Sequence, residues 1–196
     1  MRIEKLRQNY EIDVQLVHFP LHPDTPAEGM TLEALFAGRA DAATRKARQE
    51  RMMGLMQAEG LPYGDRTHTY NSRLAQELGK WADTQPGGAA IHDALYKAYF
   101  VERRNIGDID VLVDIATSVG LPSDAARKIL VERSFKAAID ADWARAGQVG
   151  VTGVPTFEAG GYGVVGAQPY EALEELMKAV GARTRGGSAP DKGSPT

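Results

Sequence analysis

Ile12, Val14 and Leu16 alternate with Asp13 and Gln15 and run on into Val17 and Phe19. That period of two predicts a strand with one buried face over residues 12–19. Ahead of it, Arg2–Asn9 reads as the end of a helix. Behind it, Pro20, Pro23 and Pro26 impose an extended path, because each fixes its own φ and pushes the preceding residue out of the helical region. The pattern then turns helical. Thr31 is placed to cap a short helix ending near Gly38, and Asp41 to cap a longer one reaching Glu59, with Gly60 as its stop. Leu74, Leu78 and Trp81 make one apolar stripe; Ile91, Leu95 and Ala98 make the next, after the Pro86-Gly87-Gly88 break. Asp108 caps a helix carrying Ile109, Leu112, Val113 and Ala116, which Gly120 and Pro122 end. Ser123 opens a helix with Ile129 and Leu130 inward, and Phe135, Ile139, Trp143 and Ala146 mark another. No period-two run interrupts residues 31–146, so this whole stretch is predicted to be helical.

From Gly147 the signal changes. Thr156 to Ala159 and Tyr162 to Gly166 are short strand-like runs joined by Gly160-Gly161, a pair in which both residues take positive φ readily, so a two-residue hairpin is expected. Pro169 opens a closing helix whose Leu173, Leu176, Met177 and Val180 recur at i, i+3, i+4, i+7, and Gly181 ends it. Residues 182–196 contain Gly, Pro, Ser, Arg and Lys without one Val, Ile, Leu or aromatic residue. Such a segment cannot offset its ordering entropy and is expected to be a disordered tail.

Of the 196 residues 43% are apolar, enough for a packed core, which excludes disorder over the whole length. Lys plus Arg number 23 and Asp plus Glu 26, a net charge of -3, too slight to attract nucleic acid or an anionic membrane. Charges interrupt the apolar steps of Met1-Arg2-Ile3-Glu4-Lys5-Leu6-Arg7, so no signal-peptide core and no membrane-length run is read there, and the expected location is cytoplasmic. The cysteine count is 0, which excludes disulfides, thiolate metal sites and a cysteine nucleophile in these residues.

The candidate chemistry is thin. Gly161-Tyr162-Gly163-Val164-Val165-Gly166 has the spacing of a dinucleotide-binding loop, yet it is itself the second arm of a hairpin and begins no βαβ unit. His18 and His22 are separated by Pro20 on an extended segment, too far apart for one zinc ion, and His68 and His92 read as a loop and a helix-face residue, so no metal is assigned. Ser72, Ser118, Ser123 and Ser134 lack a nucleophile-elbow context, and Glu174-Glu175 and the Asp140, Asp142 pair read as solvated helix-face carboxylates. No catalytic residue is assigned.

One segment departs from this. Gly150-Val151-Thr152-Gly153-Val154-Pro155-Thr156-Phe157, with Gly166-Ala167-Gln168-Pro169 behind it, closely resembles the C-terminal half of DsbA-like thioredoxin-fold proteins of the FrnE-like type. Phe19-Pro20-Leu21-His22-Pro23, Asn71-Ser72-Arg73-Leu74-Ala75, and Ala98-Tyr99-Phe100 with Ile106-Gly107-Asp108 match as well, so the resemblance covers about residues 2–180.

The resemblance implies an α/β thioredoxin-like fold: residues 1–30 and 147–181 form the half-sheet and its helices, and residues 31–146 form a large all-helical insertion. It implies thiol-disulfide oxidoreductase activity for the family, a cis peptide bond before Pro155, and substrate held at Val154 and Pro155, with Asn71 a further binding residue taken from glutathione-using relatives. Kappa-class glutathione transferases and hydroxychromene carboxylate isomerases are similar. A glutathione-dependent transferase or isomerase is therefore the rival reading, and a non-catalytic binding scaffold stands outside both. Substrate is expected to be a peptide or small thiol; no cofactor is assigned, glutathione being the one the resemblance admits, and a homodimer is the assembly it allows. Matched to the family, Arg2–Asn9 corresponds to the latter part of its first helix, so the central first strand and the Cys-x-x-Cys are expected to be missing from an N-terminally truncated, redox-inactive chain.

Overall fold

The computed structural model describes residues 2–38 and 41–186. In chain order the elements are α1 (Arg2–Asn9), β1 (Met30–Thr31), α2 (Leu32–Leu35), α3 (Ala42–Ala58), β2 (His68–Thr69), α4 (Arg73–Ala82), α5 (Ala90–Phe100), α6 (Ile109–Ser118), α7 (Ser123–Val131), α8 (Lys136–Gln148), β3 (Thr156–Ala159), β4 (Tyr162–Val165) and α9 (Tyr170–Ala179). They divide into two units, one made of residues up to 21 and from 144 onward, the other of residues 22–143. None of the described helices is long and apolar enough to cross a membrane.

In the first unit, α9 turns Leu173, Leu176 and Met177 onto Leu6 and Tyr10 of the α1 segment, and Phe157, Ala159 and Val164 of the hairpin close over them. The hairpin forms as its glycine pair predicts. Gly160 and Gly161 have φ of 55° and 85°, Ala159 faces Tyr162, and the register carries through to Thr156 opposite Val165. Gly181, at φ 66°, ends α9 in a Schellman turn: its N–H reaches the Lys178 carbonyl, and the Ala182 N–H reaches that of Met177.

The second unit is helix packed on helix. Leu78, Ile91, Leu112, Ile115 and Leu130 are fully enclosed, each contributed by the apolar stripe of its own helix. The caps act where their side chains predict: Thr31 accepts from the Ala34 N–H, Asp41 from Thr44, and Asp108 from Asp110 and Val111. Not one of the 17 residues of α3 is buried.

Three expectations are corrected. Residues 12–19 form no strand; Leu16 and Val17 stand 58% and 42% exposed, and only Ile12 joins the core. Alternation supplies a face, but a strand exists only as one side of a ladder, and no described segment pairs with this one. Residues 31–146 are not wholly helical, since Met30 and Thr31 pair antiparallel with Thr69 and His68. Two residues are too few to show a period. The tail is not disordered throughout: the Glu11 N–H donates to the Arg183 carbonyl at 2.8 Å and the Arg185 N–H to that of Asn9 at 2.8 Å, while Arg185 Nε reaches the carbonyls of Arg7 and Tyr10. Backbone pairing with the end of α1 orders residues 183–185 without any apolar side chain. Residues 187–196 lie outside the described residues.

Candidate functional site

Two of the three residues expected to hold a ligand, Val154 and Pro155, sit together in the first unit, where the chain leaves α8 and enters β3. Gly150 turns the chain at φ 71°, and the Val154–Pro155 peptide bond is cis, as expected for this loop. Both ends of the loop are pinned. Thr156 Oγ1 donates to the Gly153 carbonyl at 2.7 Å, and the Gly166 N–H donates to the Pro155 carbonyl at 2.7 Å. Gln168 folds back to give its Nε2 to the Val165 carbonyl at 2.8 Å, which steadies the opposite arm.

Between the pins Val154 is left open. The residue is 51% exposed, and its N–H and C=O have no partner among the described residues. Since the Pro155 carbonyl belongs to the row facing β4, alternation turns Phe157 toward β4 as well and directs the N–H and C=O of Thr156 and Glu158 to the other edge. Among the described residues nothing pairs with that edge. From Val154 to Glu158 the loop and strand thus present backbone donors and acceptors in a row, a template for one more extended segment. Glu158 is fixed from both sides, with Oε1 accepting the Gly161 N–H at 3.0 Å and Oε2 meeting Arg145 at 3.2 Å.

Asn71, the third residue, belongs to the other unit and is occupied. Its Nδ2 donates to the Thr25 carbonyl at 2.7 Å, and its Oδ1 accepts the Arg73 N–H at 2.9 Å at the head of α4. It ties the proline-rich segment to that helix. Both its amide nitrogen and its oxygen are taken up within that unit.

Sequence reasoning missed a charged cluster on α4. Glu77 has no solvent exposure and is held by Arg73 at 2.8 Å and by Arg133 at 2.7 Å. Arg73 also meets Asp140 at 2.6 Å and lies 4.5 Å from the Trp143 ring, whose Nε1 donates to Gln76. Burial alone would raise the Glu77 pKa, but hydrogen bonds from Arg133 and Arg73 outweigh it and hold the carboxyl below the ordinary carboxylate range. The signal available was position: Glu77 lies one residue from Leu78 on the buried stripe, and Arg73 stands at i−4. Asp140 and Asp142 are likewise not simply solvated. Asp142 is only 12% exposed and takes both oxygens to Lys80 at 2.9 Å, because α8 brings it against α4.

The comparisons with known proteins bear on this geometry. The family model of the DSBA-like thioredoxin domain matches residues 1–178. The uncharacterized protein YwbO of Bacillus subtilis (strain 168) is 30% identical over 111 residues, 56% of this chain and 55% of that protein, so the chain spans about half the length of this relative. The crystal structure of a probable DsbA oxidoreductase from Streptomyces coelicolor is similar with a TM-score of 0.83 and 27% identity, over 94% of this chain and 84% of that one. A 2-hydroxychromene-2-carboxylate isomerase is similar in fold, with a TM-score of 0.66 and 18% identity over 92% of this chain and 85% of that one.

Proposed function

Because this chain belongs to the DSBA-like thioredoxin domain family, we propose that it uses its cis-proline loop to hold an extended peptide or a small thiol such as glutathione, without performing thiol-disulfide exchange itself. The fold is that family's mixed α/β arrangement, with many helices, few short strands and a helical insertion. The observation that carries the reading is the pair of backbone groups on Val154 without a partner among the described residues, continuous with the edge of β3 that no described strand covers. A bound peptide would take those bonds as an added strand, and a thiol ligand with its own amides would take the same pair. Exchange requires an attacking thiolate, and these 196 residues contain no cysteine. The compartment we assign to this activity is the cytoplasm, which cell fractionation checks.

Calorimetric titration of the chain with an extended cysteine-containing peptide and with glutathione tests the binding. At least one should bind, and Val154→Pro, which removes the N–H, should abolish it while Val154→Ala keeps it. Equal binding by Val154→Pro, or no binding of either ligand to the unaltered chain, rules the reading out. In an insulin-reduction assay the chain should add nothing to the rate given by the reductant alone.

A further inference from the structure

Arg145 stands in the last turn of α8, a few residues ahead of the Val154 loop. That helix end is closed by the Val151 N–H on the Ala146 carbonyl at 2.9 Å and the Gly150 N–H on that of Gly147 at 3.1 Å, a Schellman turn with Gly150 at its positive-φ position. Ala146 is sealed in the interior. The turn that carries Arg145 is thus tied by backbone bonds to the start of the loop.

From there Arg145 reaches β3, where its Nη2 donates to Glu158 Oε2 at 3.2 Å. Glu158 is a strand residue whose N–H and C=O face the edge that no described strand covers. Its side chain shares the outer face of the hairpin with that of Thr156, because Phe157 between them is turned to the core. The ion pair is lopsided. The Glu158 side chain is 32% exposed and both its oxygens are engaged, one by Arg145 and the other by the Gly161 N–H. The Arg145 side chain is 60% exposed, and among the described residues its Nε and Nη1 have no acceptor. The pair turns its cationic side to solvent, beside the edge.

Resting on the reading of Val154 as the residue that holds a peptide, we propose that Arg145 is an anion subsite of the same edge, which selects peptides with an Asp or Glu about four residues from the one paired with Val154. A peptide residue opposite Glu158 would put its Cβ about 4.5–5.5 Å from that of Glu158 and on the same outer face. A carboxylate there accepts from the open nitrogens of the guanidinium, whose planar fork suits it. A Lys at that position meets a like charge, and Glu158 has no unengaged oxygen to offset it. Residue 158 lies four positions, about 13 Å, along the row from Val154, a span that an extended peptide covers and a tripeptide does not. The bound partner that fits is therefore an acidic extended peptide.

Calorimetric titration of the full chain with four nine-residue peptides tests the proposal. They share one extended sequence with a central cysteine and are acetylated and amidated, so that only a side chain can supply the carboxylate. One has Gln at both ends, one Glu at the N-terminal end, one Glu at the C-terminal end, and one Lys at both ends. One of the Glu peptides should bind about two- to fivefold more tightly than the Gln peptide, the Lys peptide more weakly, and the differences should shrink in about 1 M salt. An advantage of N-terminal Glu means that the peptide runs antiparallel to β3, and of C-terminal Glu that it runs parallel. Arg145→Gln should bring the Glu peptides down to the Gln peptide, and Arg145→Lys should keep part of the gap, with melting temperatures recorded for both. Binding of all four peptides with equal affinity, or an undiminished Glu advantage in folded Arg145→Gln, overturns the subsite and leaves the Val154 reading standing. Binding of none overturns both. The comparison of peptides on the unaltered chain decides even if a variant does not fold.

Discussion

Glu77 is the residue on which charge and packing in the helical unit depend most. Its side chain has no solvent exposure, whereas Arg133 beside it is 40% exposed and can be hydrated when the pair is broken. Glu77→Ala is therefore expected to cost about 3 kcal/mol, the lower end of the range for breaking a buried pair, read as a shift in urea midpoint with unchanged slope. The pH dependence has a definite sign. The Glu77 pKa is lowered on folding, so its contribution is complete above the unfolded-state value near 4.5 and is lost as pH falls through the folded-state value. Stability of the unaltered chain should fall on acidification through this window, and Glu77→Gln should flatten that part of the profile. Beforehand only the place of Glu77 on the stripe and Arg73 at i−4 were legible, because the second arginine partner, Arg133, is 56 positions away.

Elements whose punctuation is chemical were legible, and those that depend on a distant partner were not. The Gly160-Gly161 hairpin, the Asp108 cap and the Gly181 stop each follow from what one or two residues permit the backbone to do. The ladder of Met30 and Thr31 with Thr69 and His68 joins segments nearly forty residues apart and is too short for a period, and residues 12–19 show a period without a partner strand among the described residues. The Pro86-Gly87-Gly88 break was legible as a turn, yet its tightness was not. A Cβ at Gly88 would overlap the Ala82 carbonyl, a backbone atom that cannot swing aside. Gly88→Ala is expected to destabilise the α4–α5 turn by about 1–3 kcal/mol, whereas Gly87→Ala meets no atom and is limited to the smaller cost of its positive φ of 72°. Thermal melts of the two variants check the order.

For the molecule as a whole, the family was legible only through the resemblance of residues 150–157 and their companions; composition and spacing excluded much and selected nothing. The candidate loop at Val154 and Pro155 was found that way. The corrected reading of residues 12–19 has a direct readout. The backbone N–H groups of residues 13–17 make no hydrogen bond among the described residues, so hydrogen exchange followed by mass spectrometry should find them nearly unprotected, against strong protection of Leu112, Ile115 and Leu130 in the helical core. Protection of 13–17 would mean that a strand partner is present in solution. The unburied helix α3 carries a different consequence. With cysteine absent, the six methionines hold all of the sulfur in this chain, and α3 leaves Met52 and Met53 exposed at 43% and 42%, whereas Met177 is sealed in the core at 6%. Under peroxide, sulfoxides should accumulate first at Met52 and Met53 and spare Met177, as peptide mapping would reveal. A chain from a family known for sulfur redox chemistry would then meet oxidants through thioethers, on a helix whose loss of apolar character leaves both hydrophobic cores untouched.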